Sequence, residues 1–419
     1  MKITLHGAAQ EVGRSCVEVS AKDKYLIDCG LKIAKGGNQF PEGVKVKDVK
    51  GVFISHAHLD HTGALPLFNA RGLNCPIYCT AETKEISKVL LKDSLHIEML
   101  GSEDPNYEEE NIWKVLDLMK NVQYRKEQKL NNIKYTFHDA GHIPGSASVK
   151  LNIDGKNILY TGDINTSESE LLKGADTDYG KVDVMISEST YGDREHPSRD
   201  KEENNFLNAA KDTVDKNGVC LVPVFGVGRA QEVILMLSRM DLGVPIYLDG
   251  MAKKITDLFL QRPKYLKDKS LKKASEKVNY VKNWKERETI VKEPAIVVST
   301  AGMMSGGPVM AYMKHLSYQE NSSVLLTGYQ AHGTNGESLL NKRIVNIDNK
   351  MYKYKGRVEK YDFSAHAGQK ELIALIKKTN PKSLIVNHGE LDSEQTLAKE
   401  AEKFGIEVFT PKLGEELEF

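Results

Sequence analysis

The sequence lacks an excess of charge of either sign. Its 419 residues carry 58 Lys and Arg against 58 Asp and Glu, so a surface for a polyanion has to be a local patch. It lacks a membrane-spanning run, since no stretch approaches the ~20 consecutive apolar residues such a helix needs. The stretch 1–20, MKITLHGAAQEVGRSCVEVS, alternates like a strand and carries no apolar signal-peptide core. The expectation is a cytoplasmic protein that engages no membrane. Cysteine is scarce: Cys16, Cys29, Cys75, Cys79 and Cys220 are too few and too scattered for a disulfide framework. Cys75 and Cys79 stand four apart, outside the C-x-x-C zinc spacing, and all five read as reduced, mostly buried thiols. No internal repeat or low-complexity linker is present. What remains is 40% apolar and 28% charged, the composition of an ordinary globular protein of two or three domains.

The first half reads as short strands broken by Gly and turns: 24–30, 51–58, 133–140, 149–155 and 156–163, many with hairpin-like, antiparallel connections. A polar helical stretch over 102–120 reads as a surface helix. From about 200 the rhythm changes. Helical stretches alternate with continuous apolar strands at 218–226, 244–250, 295–302 and 322–329, the pattern of a parallel sheet covered on both faces. Further strands follow about 355, with 383–390 the clearest. A change of style and back again indicates an inserted domain.

The strongest chemical signal is His56-Ala57-His58-Leu59-Asp60-His61. It follows the strand Val52-Phe53-Ile54 and precedes a helix starting near Thr62. In extended backbone, residues two apart point the same way, so His56 and His58 face one cation. The turn into the helix swings Asp60 and His61 toward a second position. Three imidazoles and a carboxylate suit zinc or a similar borderline metal. Asp28, His142, Asp163 and His388 each end a strand. Alone, each is ordinarily a turn residue or a half-buried partner; together they complete a pattern.

HxHxDH with a later His, a TGD Asp and a terminal His resembles the metallo-β-lactamase superfamily. Glu188-Ser189-Thr190-Tyr191-Gly192-Asp193-Arg194, Phe363-Ser364-Ala365-His366 and Val386-Asn387-His388-Gly389 resemble the additional motifs of its β-CASP nucleases. Gly228-Arg229-Ala230-Gln231-Glu232, Met304-Ser305-Gly306-Gly307-Pro308 and Gly328-Tyr329-Gln330 resemble the branch related to the endonuclease subunit of the cleavage and polyadenylation specificity factor. The resemblance spans essentially the whole chain. It departs in two places. Those archaeal relatives that have N-terminal KH domains carry them ahead of the nuclease, whereas here the nuclease motifs start at once, so RNA is expected to be held by the nuclease body. His332 stands where relatives often carry an acidic residue.

The resemblance implies an α/β fold: a four-layer αββα sandwich from residues 1–195 and 355–419, with an α/β insertion over 196–354 forming the other wall of a cleft. It implies two zinc ions, one on His56, His58 and His142, the other on Asp60, His61 and His388, with Asp163 bridging. Asp28 sits just outside, orienting ligands and the nucleophile, and counts with Asp60, Glu188 and His366 among the catalytic residues. His366 is the general acid and Glu188 its partner. Ser364 hydrogen-bonds the scissile phosphate, and Asp193, Arg194 and His196 support the same wall. The implied reaction is hydrolysis of RNA to 5′-phosphate and 3′-hydroxyl ends, by endonuclease action with 5′ exonuclease action as a second mode. The implied partners are single-stranded RNA and RNA-processing proteins, and a homodimer is compatible with the pattern.

In the insertion, the loops after parallel strands should lie at one sheet edge, where α/β ligand sites form. Those loops hold Gly226-Val227-Gly228-Arg229, Ser299-Thr300-Ala301-Gly302 and Gly328-Tyr329-Gln330. Gly228, Arg229, Ser305, Gln330 and His332 are therefore expected to bind substrate, the glycines by close approach to phosphate and Arg229 by its guanidinium fork. Residues 253–292 hold 13 Lys or Arg against 5 Asp or Glu, with Tyr265, Tyr280 and Trp284 interleaved. This is a solvated helical face or an RNA-backbone track, in which Lys267, Lys269, Lys272 and Lys273 would make phosphate contacts. Two other functions compete. A small-molecule metallohydrolase would not need the insertion or the Glu188 and His366 motifs. A nuclease-dead scaffold would have lost metal ligands, and none is missing here. DNA-directed relatives typically carry Val where this chain has His388.

Overall fold

Several central strands of the first half bury both faces, and their alternation builds the layers. Tyr25 and Ile27 enter one apolar core while Leu26 enters another, and Phe53 is likewise separated from Val52 and Ile54. In a second sheet, Ile158 and Tyr160 share the core of Tyr25, while Leu159 turns to a third. Two sheets therefore meet across one shared core, each with helices on its outer face. The computed structural model describes residues 1–34, 37–100 and 105–419.

The first sheet has seven strands: Glu416–Glu418, Lys2–Gly7, Cys16–Ser20, Lys24–Ile27, Val49–Phe53, Ile77–Thr80 and Met119–Val122 in spatial order. Its pairing is antiparallel up to Lys24–Ile27 and parallel beyond. The second, also of seven, runs Glu407–Phe409, Ser383–Asn387, Val184–Glu188, Lys156–Tyr160, Ala147–Ile153, Ile133–Asp139 and Gln128–Leu130. There the first four strands are parallel and the rest antiparallel. Helices Leu65–Ala70, Ala81–Leu100 and Glu109–Leu118 cover the first sheet, and Gln369–Thr379 and Leu391–Glu402 the second. The expected αββα arrangement is this one.

Three expectations shift. The helix placed over 102–120 is Glu109–Leu118, and Met119–Val122 is an edge strand; residues 101–104 lie outside the described residues. Ile112, Val115 and Leu116 fall on one helical face and are buried, so this is not merely a surface helix. The structure adds a long helix, Ala81–Leu100, whose buried face is marked by Ile86, Leu90, Leu91 and Leu95. Finally, the compact units are Met1–Glu168, Lys173–Glu195 and Ala365–Phe419 on one hand, and Ser169–Leu172 and His196–Ser364 on the other. Residues 355–364, expected in the first, belong to the second, because Arg357–Lys360 pairs in parallel with Ser323–Leu326.

The second unit is built on a parallel sheet in the order Val278–Tyr280, Ile246–Asp249, Ala295–Ser299, Val219–Pro223, Ser323–Leu326 and Arg357–Lys360. Among the described residues, no helix of the chain is long and apolar enough to cross a membrane.

In the first unit, Glu394 is fully buried on helix Leu391–Glu402. One oxygen accepts from the Gln10 amide at 2.9 Å, and the other has no hydrogen-bond partner. Burial, with Glu390 nearby, pushes its carboxyl up to about 8. The folded state thus holds a proton that the unfolded chain, with an ordinary carboxyl, releases at lower pH. Stability from this group is complete below the unfolded pKa and is lost as pH rises toward about 8. Glu394→Gln should therefore raise the Tm at pH 8 relative to the parent more than at pH 5, read by thermal unfolding; an equal shift at both pH values would refute the assignment.

Candidate metal centre

The HxHxDH segment takes its shape from the way the chain leaves the sheet. After Val49–Phe53 it leaves the sheet and bends at Ala57 and His58, and the His58 carbonyl then accepts from the His61 and Thr62 amides, both at 3.0 Å, to start helix Leu59–Thr62. His56 lies just before the bend, His58 in it, and Asp60 and His61 on the first helical turn. The segment packs against Gly30, where a Cβ would sit 1.6 Å from the Asp60 carbonyl oxygen. Asp28, His142, Asp163, Glu188 and His388 all lie at or just beyond C-terminal strand ends in the same unit.

Seven of these side chains converge into two histidine-rich groups, and Asp163 also meets Glu188 and His366 in a third. His56, His58, His142 and Asp163 form one; Asp60, His61, Asp163 and His388 form the other, with ligand atoms in each within 4.8 Å of one another. In the first, His58 Nδ1 lies 3.1 Å from His56 Nε2 and 3.2 Å from His142 Nε2. Asp163 Oδ2 is 3.5 Å from His56 Nε2 and 3.7 Å from His142 Nε2. Its Oδ1 faces the second group, 3.4 Å from His61 Nε2 and 3.2 Å from His388 Nδ1. Asp60 Oδ2 lies 3.9 Å from His61 Nε2 and 3.5 Å from His388 Nε2.

The set fits metal ions. His61 Nε2, His388 Nε2 and Asp163 Oδ1 are buried without a hydrogen-bond partner, a costly state unless a cation satisfies them. Burial pushes the imidazoles of His56, His58 and His142 down, toward the neutral form that coordinates. Their tautomers follow from their other nitrogens. His142 Nδ1 donates to the Ala365 carbonyl at 2.8 Å, and His61 Nδ1 to Asp28 Oδ2 at 2.7 Å, so the neutral ring of each presents a bare Nε2. Burial opposes charge on His61, but Asp163, Asp28 and Asp60 raise its imidazole, so a bound metal has to displace that proton.

Asp28 is fully buried and takes four hydrogen bonds: Ser55 N and Ser55 Oγ at 2.7 Å each, Tyr160 OH at 2.9 Å, and His61 Nδ1. Ser15 Oγ meets the Tyr160 hydroxyl at 2.9 Å, and Ser55 Oγ lies 3.0 Å from His56 Nδ1. Through these contacts Asp28 positions the ligands His61 and His56. Ser15, Ser55 and Tyr160 were missed, being ordinary strand residues whose roles only the fold reveals.

His366 Nδ1 pairs with Glu188 Oε2 at 2.8 Å, and His366 Nε2 lies 4.0 Å from Asp163 Oδ2. Glu188 is held in turn by the Ile164 amide at 2.6 Å. Burial works against the charged imidazole, but Glu188 and Asp163 raise it to about 9. Tyr191, also given no role, packs its ring 6.1 Å from that of His366. Asp193 contacts Arg194, whose guanidinium stacks 4.6 Å over the Tyr191 ring.

The residues expected to bind substrate in the other unit divide. Arg229 is buried and ion-paired with Glu232, so its guanidinium is no open fork for phosphate; helical spacing places the pair within one turn. Gly228 serves the backbone, starting helix Arg229–Leu237 with φ +79°. Gln330 turns inward, its amide donating to the carbonyls of Gly302 at 3.1 Å and Gly328 at 3.2 Å. Ser305 is exposed, and His332, exposed too, pairs with Glu337 at 3.1 Å. The Ser364 amide donates to Asp362 Oδ1 at 3.1 Å, and His196 Nδ1 meets Asp362 Oδ2 at 3.3 Å. The basic segment is split. Helix Met251–Gln261 carries the chain back to the edge where Val278–Tyr280 begins beside Ile246, so Lys267, Lys269, Lys272 and Lys273 lie at the opposite edge from the strand-end loops. Burial keeps all five cysteines out of reach, and all are free.

Because Asp28 fixes His61 directly and His56 through Ser55, Asp28→Asn should lower metal affinity by about 10- to 100-fold. Competition against a chromophoric chelator measures this; unchanged affinity would contradict the positioning role.

Comparison with known proteins agrees with this geometry. Residues 17–190 match the metallo-beta-lactamase superfamily domain, 230–339 the Beta-Casp domain, and 351–411 the Zn-dependent metallo-hydrolase RNA specificity domain. "Probable RNase MJ4" of Methanocaldococcus jannaschii is 40% identical over the full length of both chains. "RNase aCSPSF2" of Saccharolobus solfataricus is 37% identical, over 98% of this chain and 84% of its own. "Transcription termination factor FttA" of Methanocaldococcus jannaschii is 34% identical, over 93% of this chain and 67% of its own. A solved Enterococcus faecalis protein of unknown function shares the fold, with a TM-score of 0.63 at 15% identity over 99% of both chains. The chain belongs to the β-CASP family of the metallo-β-lactamase superfamily, with these archaeal proteins as relatives.

Proposed function

We propose that this protein is a two-zinc ribonuclease that hydrolyses single-stranded RNA to 5′-phosphate and 3′-hydroxyl ends. The carrying observation is the single buried carboxylate of Asp163, one oxygen toward each ligand group, with the His366–Glu188 pair beside it. The names of the archaeal RNase relatives supply the substrate class. Two zinc ions in these groups would activate a water and neutralise charge building on the phosphate. The residues do the rest. His56, His58 and His142 would hold one ion and Asp60, His61 and His388 the other, with Asp163 offering an oxygen to each group. Asp28 and Ser55 keep the imidazoles aimed. The attacking water releases one proton to solvent. As the bond from phosphorus to its oxygen forms, that to the 3′ oxygen breaks, His366 gives its Nε2 proton to the leaving oxygen, and it regains a proton from solvent before the next turnover. Glu188, bonded to Nδ1, favours the protonated ring and keeps the acid loaded. The free, buried thiols suit a reducing compartment, and we place the enzyme in the cytoplasm.

Metal analysis of the purified protein should find close to two zinc ions per chain, and His58→Ala should lower that content and abolish cleavage. Cleavage by protein with negligible metal would overturn this. His366→Ala should retain both ions yet cut end-labelled RNA about 10²–10⁴-fold more slowly, the usual worth of a general acid. Loss of metal in that variant, or parental rates, would show that His366 has another task.

A further inference from the structure

We propose that the C-terminal edge of the parallel sheet in the 196–364 unit is a stacking platform for single-stranded RNA, with Trp284, Phe225 and Tyr329 as its ring surfaces. This rests on the ribonuclease reading above.

The strands of that sheet are parallel, so the loops after them emerge at one edge. Phe225 follows Val219–Pro223, Tyr329 follows Ser323–Leu326 and Trp284 follows Val278–Tyr280. These rings are 38%, 51% and 59% exposed. Tyr318 is exposed as well, but it follows helix Pro308–Leu316 to the opposite edge and packs edge-on against Tyr352. Isolated exposed rings are unremarkable; three on one edge are not.

The Phe225 ring is fixed in place. A Cβ on Gly302 would come within 3.0 Å of the Phe225 amide nitrogen and 3.1 Å of its ring, and one on Gly328 within 3.0 Å of the ring. The two glycines thus leave room for Phe225, and the Gln330 amide ties their carbonyls together. This gives the inward turn of Gln330 a purpose: it sets the walls of a rigid ring seat.

Spacing favours bases over a protein partner. Phe225 and Tyr329 follow neighbouring strands, ~4.8 Å apart, whereas Trp284 follows a strand three places further, ~14 Å away. Separated rings divided by the Gly-rich stretch 302–307 make a poor continuous apolar patch but a good series of stacking surfaces. Charge agrees. Lys254, Lys282 and Lys285 are exposed in the loops or helix starts at this edge, and the Lys285 ammonium lies 5.8 Å from the Trp284 ring centroid. The buried Asp249 there is neutralised by Arg287 at 2.7 Å.

The test is fluorescence anisotropy of a labelled oligouridylate with the full chain, metal chelated so that the RNA stays intact. Trp284→Ala and Tyr329→Ala should each weaken binding by about 5- to 150-fold, the loss that accompanies one stacked base, and Trp284→Phe should restore most of it. Tyr318→Ala should bind as the parent does. The pair Lys282→Gln and Lys285→Gln should flatten the log–log salt slope by about 0.7 per lost contact, while Lys267→Gln with Lys269→Gln leaves it unchanged. Parental binding by both exposed-ring variants would overturn the platform, as would an equal loss in Tyr318→Ala. Cleavage of RNA by the parent is scored separately. A parent that binds but does not cut sinks the ribonuclease reading, and one that cuts while the ring variants bind normally sinks the platform alone.

Discussion

The centre depends on one carboxylate. Asp163 is almost wholly buried, and its two oxygens face two different sets of imidazoles. So many converging lone pairs and negative oxygens, several without hydrogen bonds, are not stable in a protein interior by themselves. Metal bound by these residues would resolve the conflict, and the shared carboxylate fixes the two groups close together. The surrounding architecture is a means of holding that arrangement: two sheets over a common core, whose strand ends deliver ligands from both sheets to one edge.

Holding the ligands costs backbone freedom. Asp28 and His388 both adopt left-handed conformations, with φ of +61° and +52°, which non-glycine residues seldom visit. Each is tied down by the fold: the Asp28 amide to the Phe53 carbonyl at 2.9 Å, and the His388 amide to that of Ala8 at 2.8 Å. Asp28 then becomes the hub of a buried network through Ser55, Tyr160 and Ser15, so the aim of His61 and His56 is set before any metal arrives.

In the second unit, the same physics redistributes what its motifs suggested. Arg229 looks like a phosphate fork in isolation, but on a buried helix it needs a counter-charge, and Glu232 one turn on supplies it. Gln330 has a polar side chain in a tight space and satisfies its amide on two loop carbonyls. Both residues build the loops that present other side chains, and three rings and several lysines are among those left exposed at the strand ends.

The sequence by itself determined the chemistry and the class of fold. His56, His58, Asp60 and His61 are close in the chain, so their spacing alone fixes which way they face. Continuous apolar strands and turns declare sheets, and motif order locates an insertion. Tertiary structure decided whatever depends on contacts distant in sequence. Tyr160 lies 132 residues from Asp28 and Glu188 lies 178 from His366, and no local pattern announces such a pairing. The return point of the insertion was equally hidden, because only pairing with Ser323–Leu326 shows to which sheet Arg357–Lys360 belongs. The basic segment carries its charge in plain view, yet a helix that runs back along the sheet sends half of it to the opposite edge, and a count of lysines contains no information about direction.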